Sequence, residues 1–264
     1  MIKVEQIQLT FNPGTPIENH VLRGLNLNIA EGEFVTVIGS NGAGKSSLLN
    51  IISGDIISDS GYVIINDRDV THLPVWQRAG MVARVFQDPM VGTCENLTIE
   101  ENLALAYNRG SKQTLKPALN ANLREIFKRK LATLDLGLEH RLSDLMGLLS
   151  GGQRQAISLL MSTLQPSKVL LLDEHTAALD PKTAQFVLDL TNQIVQQNKL
   201  TTVMVTHSMK QALAYGTRTV MLHRGQVVLD VSGEKRAKMD VPDLLVMFEK
   251  TRNEIIADDA LLLG

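Results

Sequence analysis

The chain has 264 residues, 44% of them hydrophobic, and its 26 basic and 28 acidic side chains leave a formal charge of −2. That balance provides no basic field for nucleic acid or an anionic membrane surface, and the length supports one large domain with an ample core. A single cysteine, Cys94, excludes an internal disulfide, and no run reaches the roughly 20 apolar residues of a membrane span, so the expected address is the cytoplasm.

The N-terminus, MIKVEQIQLTF, has no charged start followed by an apolar signal stretch. It opens instead a strand-like alternation, with Ile2, Val4 and Ile7, then Leu22, Leu25, Leu27 and Ile29, and the turn residues Asn12, Pro13 and Gly14 between. FVTVI (34–38) is a continuous β-rich run, followed by a glycine-rich turn and the helical KSSLLNII. YVIIN (62–66) and MVARVF (81–86) read as further strands. From Gly92 to Pro166 the pattern turns helical. Thr98 and Glu101 form a capping box ahead of Ile99, Leu103 and Ala106, and Leu123, Ile126, Phe127, Leu131 and Leu134 form an amphipathic stripe. RGSKQTLKP (109–117) is the polar loop expected between those helices.

Strand character returns in VLLL (169–172). Asp180 and Pro181 then read as N-cap and first residue of a helix carrying Phe186, Leu190 and Ile194. TVMVT (202–206) is a buried-type strand, and Val220–Leu222 and Gln226–Leu229 form a hairpin around Arg224 and Gly225. Strands alternating with helices predict an α/β fold with a mostly parallel core sheet. The expected organisation is a single domain, with core segments 1–91 and 167–240, a helical subdomain at 92–166 and a tail at 241–264. In the tail, Leu244, Leu245, Met247 and Phe248 have helical spacing and are expected to pack on the core.

GSNGAGKS (39–46) matches G-x-x-x-x-G-K-[ST] between a strand and a helix, the context in which that pattern binds a nucleoside triphosphate. Gly39, Gly42 and Gly44 permit torsions that converge successive N–H groups on phosphate oxygens. Lys45 would reach the β- and γ-phosphates and Ser46 would place its hydroxyl on Mg²⁺; Ser40, Asn41, Ala43 and Ser47 complete the expected contacts. The bland alternative is a glycine-rich turn with a surface lysine. VLLLDE (169–174) supplies the second metal ligand, Asp173, at the C-terminal end of a buried strand, and Glu174 can orient or deprotonate an attacking water. An acidic pair after a strand can also be solvated loop.

Other positions keep two readings at this stage. His207 could donate to a γ-phosphate oxygen or simply end a strand. Gln87 could contact Mg²⁺ and water or be loop surface. Asp180 is a helix cap that could also serve the site, and Phe11 could stack on a base or belong to the core. LLSGGQRQAISLL (148–160) poses a sharper question, because paired glycines are a poor way to open a helix unless the backbone must touch something. Ser150, Gly151, Gly152 and Gln153 together offer a hydroxyl and the bare amides of a helix N-terminus, which suit an anion.

In order, GSNGAGKS, Gln87, LSGGQ (149–153), VLLLDE, AALD (177–180) and TH (206–207) resemble the ATP-binding subunit of ATP-binding cassette (ABC) transporters, over residues 1 to about 230. The resemblance implies a P-loop NTPase with an N-terminal antiparallel β subdomain and an inserted α-helical subdomain. It implies that two such subunits meet head to tail, so that Ser150, Gly151, Gly152 and Gln153 of one contact the γ-phosphate held by Lys45 of the other. It casts Phe11 as the adenine-stacking aromatic, Gln87 as the hinge between the core and the helical subdomain, near where a membrane partner docks, Glu174 as general base, His207 as γ-phosphate contact and Asp180 as a coupling residue. His175 departs from the family, where proline is frequent, and AISLLMSTLQP replaces an alanine-rich helix. The implied cofactors are ATP and Mg²⁺. The implied partners are a second ATPase subunit in a homodimer, integral-membrane permease subunits and a separate solute-binding protein, with no nucleic acid. The implied location is the cytoplasmic face of the plasma or inner membrane. MVARVFQDPMVGTCENLTIEENLALA, DEHTAALDPKT and GEKRAKMDVPDLLVMF look similar to ATPases of amino-acid-type importers. A ribosome- or DNA-acting ATPase of this class would carry two cassettes or a long coiled coil, and a non-hydrolysing module would lack Glu174 or LSGGQ; neither pattern is present.

Overall fold

The computed structural model describes residues 1–110 and 117–250; most of the expected 109–117 loop and the end of the tail, 251–264, lie outside the described residues. The chain begins with β1 (Ile2–Phe11), β2 (Asn19–Ile29), β3 (Phe34–Gly39), α1 (Lys45–Ser53), β4 (Ser60–Ile65), β5 (Arg68–Asp69), α2 (Val75–Arg78) and β6 (Val82–Val85). It continues through α3 (Ile99–Tyr107), α4 (Ala121–Ala132), α5 (Gly151–Thr163), β7 (Val169–Asp173) and α6 (Pro181–Asn198). It ends in β8 (Thr201–Val205), α7 (Met209–Ala214), β9 (Arg218–His223), β10 (Gln226–Ser232) and α8 (Gly233–Ala237), with residues 241–250 helical beyond. The chain divides into two compact units, one of Met1–Ile51, Ser58–Thr71 and the segment from Val203 onward, the other of Ile52–Ile57 and His72–Thr202. No helix among the described residues is long and apolar enough to cross a membrane.

In the first unit, β2-β1-β4-β5 form an antiparallel sheet. Val4 and Ile7 are both buried although an odd spacing should put them on opposite faces. The register shifts between them, and Gln6 takes a positive φ of 50°, so a bulge absorbs the extra residue and returns Ile7 to the core. The buried run β3 lies between β8 and β9, parallel to β9 with Val37 opposite Val220. The β9–β10 hairpin closes on Arg224 and Gly225, both at positive φ, as a type I′ turn requires. Ile38, Ala212, Met221 and Leu244 form one core cluster, with Met209 and Phe248 against it. The tail does pack on the core through Leu244 and Phe248, but Leu245 is exposed, because one helical face holds only part of the expected stripe.

In the second unit, β6 and β7 are parallel, with Val85 opposite Leu172. Within the stretch 92–166 the described residues form α3, α4 and α5. Thr98 and Glu101 form the expected capping box, and Phe127, Leu131 and Leu134 are buried, with Phe127 edge-on to Tyr107. Asp180 caps α6 by accepting from the Thr183 amide, with Pro181 at the first turn. The mixed sheets, antiparallel at the N-terminus and parallel within the core, match the expected fold class.

Candidate functional site

The phosphate-type loop belongs to the first unit, where β3 runs into α1. Gly39 has φ +152°, and a Cβ there would stand 2.3 Å from the Leu222 carbonyl oxygen. Gly44 has φ +98°, and a Cβ on it would strike the Leu22 side chain at 2.6 Å. Gly39 is therefore required by its close approach to backbone as well as by torsion, and Gly44 by its torsion. Lys45 is buried at 6% exposure, and its Nζ donates to the carbonyls of Gly39 and Ser40, each at 3.0 Å. The loop thus wraps its own ammonium group, while Ser40, Asn41, Gly42 and Ser46 face solvent, Ala43 is buried and Ser47 is half-buried. The arrangement places a buried cation and the N-terminal, positive end of a helix dipole on one turn, which is the electrostatics of an anion cradle.

Two further expected residues lie in this unit. Phe11 ends β1 and is 38% exposed, so the core reading of its ring does not hold. His207 follows β8 and is exposed. Its neighbours fix the turn: the Thr206 amide donates to the Val37 carbonyl, and Ser208 caps α7 by accepting from the Gln211 amide.

The second unit carries the acidic pair and the LSGGQ stretch. Asp173 ends β7 half-buried and receives Arg84 Nη2 at 2.6 Å, while Nη1 of the same arginine reaches Asp55 at 2.8 Å. Glu174 follows with φ +46°, a left-handed backbone that a side-chain-bearing residue adopts at a cost. His175 is buried, and its Nε2 lies 2.9 Å from Thr191 Oγ1 on α6. Gln87 is exposed, and the carbonyl before it, Phe86 O, accepts from Gln155 Nε2 on α5 at 3.0 Å.

Ser150 is the N-cap of α5 in a reciprocal box: the Gln153 amide donates to Ser150 Oγ at 3.3 Å, and the Ser150 amide donates to Gln153 Oε1 at 3.2 Å. Ser150 and Gly151 are exposed, whereas Gly152 is buried against Thr183 of α6. Thr183 also gives its amide to Asp180, whose carboxyl is held below the usual range chiefly by that residue's hydrogen bonds. The structure therefore brings Gly152, Thr183 and Asp180 into one contact set. Arg154, buried behind them, donates to the Gly147 and Leu149 carbonyls and contacts Met90 Sδ, which fixes the approach to the helix. Sequence reading missed Arg84 and Thr183. The signal for Arg84 was present, a cation inside the otherwise apolar VARVF; Thr183 gives none.

Residues 22–177 match the family described as ABC transporter. The chain is 47% identical over 251 residues to a tyrosine transport ATP-binding protein of Clostridioides difficile (strain R20291), covering 94% of this chain and 99% of that one. It is 34% identical over 213 residues to the thiamine import ATP-binding protein ThiQ of Escherichia coli (strain K12), covering 81% and 87%. Among solved structures, an ATP-binding cassette captured as a dimer in a post-hydrolysis state with ADP and phosphate superposes with a TM-score of 0.75 at 28% identity, covering 88% of this chain and 98% of that one.

Proposed function

The chain belongs to the ABC transporter family as an ATP-binding, ATP-hydrolysing subunit, and from that premise we propose that it powers an importer of amino-acid-type solutes. The likeness to a tyrosine transport protein over nearly the whole of both chains carries the solute class.

In this reading Phe11 stacks on adenine, residues Gly39–Ser47 wrap the phosphates, and Lys45 neutralises the β- and γ-oxygens. Ser46, Asp173 and Gln87 are the residues that would hold Mg²⁺: one carboxylate with two neutral oxygens is a donor chemistry suited to an ion that keeps waters and phosphate oxygens as its other ligands. When bound, the ion would supply charge neutralisation on the transferring phosphate. Glu174 orients and deprotonates the attacking water, and His207 donates to the γ-phosphate. Ser150, Gly151, Gly152 and Gln153 close over the γ-phosphate of a second copy, and Asp180 couples the two across that interface. The solvent-facing Ser150 and Gly151 support this reading, since they sit at a helix N-terminus with their faces open. Residues 1–91 and 167–240 serve as the ATPase core and 92–166 as the helical subdomain that meets the permease. The working assembly is a homodimer on the cytoplasmic face of the membrane, with permease subunits and a separate solute-binding protein.

The test is the molar mass of Glu174→Gln by size-exclusion chromatography with light scattering, with and without ATP. ATP is expected to double the mass, and adding Ser150→Arg to prevent it. An unchanged mass would overturn the homodimer, and near-wild-type hydrolysis by Glu174→Gln would remove Glu174 as the base. Uptake of a radiolabelled aromatic amino acid, lost on deletion and not restored by the variant, tests the solute class.

A further inference from the structure

We infer that Arg84 is a positioning residue that shares the Asp173 carboxylate with the divalent cation and so sets the cation affinity of the ATP-loaded site. The inference rests on the reading of Asp173 as a metal ligand.

Arg84 stands in β6 opposite Leu171 of β7, and Leu171 and Asp173 point to the same face of their strand. The side chains of Arg84 and Asp173 therefore share one face of the parallel pair and meet near its C-terminal end. The arginine side chain is 11% exposed and that of Asp173 13%, so their 2.6 Å contact is only weakly screened by water. The guanidinium also lies over the Phe86 ring, 4.7 Å from its centroid, which fixes its plane.

Its second carboxylate makes the arrangement more than a simple ion pair. Asp55 takes Nη1 at 2.8 Å, and the same Asp55 oxygen accepts from Ser53 Oγ at 2.6 Å. The far side of Arg84 is thereby anchored by a carboxylate that is itself held. Two carboxylates against one guanidinium leave one negative charge, so this group can accept further positive charge at Asp173. A cation arriving there gains the carboxylate but is repelled by the fixed guanidinium. Asp55 moderates that repulsion by drawing on the same positive charge.

The two neighbours of Asp173 should then act in opposite directions. Arg84→Met keeps the packing stem, removes the charge, and is expected to tighten Mn²⁺ binding by roughly five- to tenfold. Asp55→Asn leaves the guanidinium uncompensated and is expected to weaken Mn²⁺ binding several-fold. Arg84→Lys keeps the charge and should stay near wild type. The readout is free Mn²⁺ by electron paramagnetic resonance, on the full chain with a non-hydrolysable ATP analogue, with metal-free analogue affinity as the folding control. Asp173→Asn separates the two levels of the argument. If it weakens Mn²⁺ binding while Arg84→Met and Asp55→Asn shift affinity together or not at all, the role of Arg84 is overturned and the ligand reading stands. If Asp173→Asn leaves the affinity unchanged, both fall. Should Arg84→Met not fold, the Asp55→Asn and Arg84→Lys pair decides alone: weakening by the first with no change in the second supports the inference, and any other pattern overturns it.

Discussion

Gly152 packs so closely on Thr183 that a Cβ built on it would stand 2.1 Å from Thr183 Cγ2, whereas a Cβ on the adjacent Gly151 would meet Leu179 Cδ2 at an ordinary 3.5 Å. The paired glycines of LSGGQ thus have separate physical causes. Gly152 is demanded by the packing of α5 on α6 within one chain. Gly151 has no such demand, faces solvent, and is left for the proposed contact with a partner's nucleotide.

Gly152→Ala is therefore expected to destabilise the fold by about 1–3 kcal/mol through overpacking, although alanine is the better helix former. Thr183→Ser removes the clashing methyl and should relieve most of that loss. Gly151→Ala should leave stability unchanged or raise it by up to ~1 kcal/mol while weakening the ATP-dependent dimer. Urea unfolding of the single and double variants, beside light scattering with ATP, separates the two. Equal destabilisation by both alanines would contradict the assignment.

Glu174 holds its backbone at φ +46°, where a side chain costs about 1 kcal/mol or more relative to glycine. Glu174→Gly should accordingly stabilise the fold by about that amount, less the added chain entropy, and abolish ATP hydrolysis. Glu174→Gln keeps the strain and should match the wild type in urea unfolding. A glycine variant less stable than the glutamine variant would show that the turn is not strained.

These separations mark what the sequence could and could not convey. The caps at Thr98 and Asp180 were legible because each cap and its amide partner sit three residues apart; the same spacing at Ser150 and Gln153 was read only as an anion contact. The phosphate-type loop was legible for the same reason, since its torsions are written in consecutive residues. The partners of Arg84 were not, because its two carboxylates lie 29 and 89 residues away, and the second, Asp173, meets it only once β6 and β7 pair. The need for Gly152 depends on Thr183 of another helix, and the bulge at Gln6 on a register shift with β2. β5, α2, α7 and α8 have two to six residues, too few for a period to show.

His175, where the family often has proline, is 2% exposed, and burial pushes its imidazole down from 6.5 to about 4. Thr191 Oγ1 gives its own hydrogen to the Val187 carbonyl at 2.7 Å, so the His175 Nε2–H must be the donor between them, and the ring is neutral. Between pH 6.5 and about 4 the unfolded chain binds the extra proton and the folded chain does not. Stability must therefore fall as pH drops through that window. His175→Gln keeps a donor without titrating, so its unfolding free energy should lose this part of the acid slope. A wild-type-minus-variant difference that is flat from neutral pH to the bottom of the window would mean that the ring titrates normally.

Phe11 separates binding from stability most cleanly. Its ring ends β1 at 38% exposure, so its removal takes little from the core. A base stacked on an aromatic ring is worth ~1–3 kcal/mol by alanine substitution, which corresponds to roughly a five- to hundredfold change in affinity. Phe11→Ala should weaken ATP binding within that range and lower unfolding stability by under ~1 kcal/mol, with Phe11→Tyr close to wild type in both. Binding is read with a fluorescent adenine nucleotide and stability in urea. Loss of stability without loss of affinity would place the ring in the fold rather than on the nucleotide. Loss of affinity alone, equal for ATP and GTP, would still fit, because stacking uses the face of the base and not its edge.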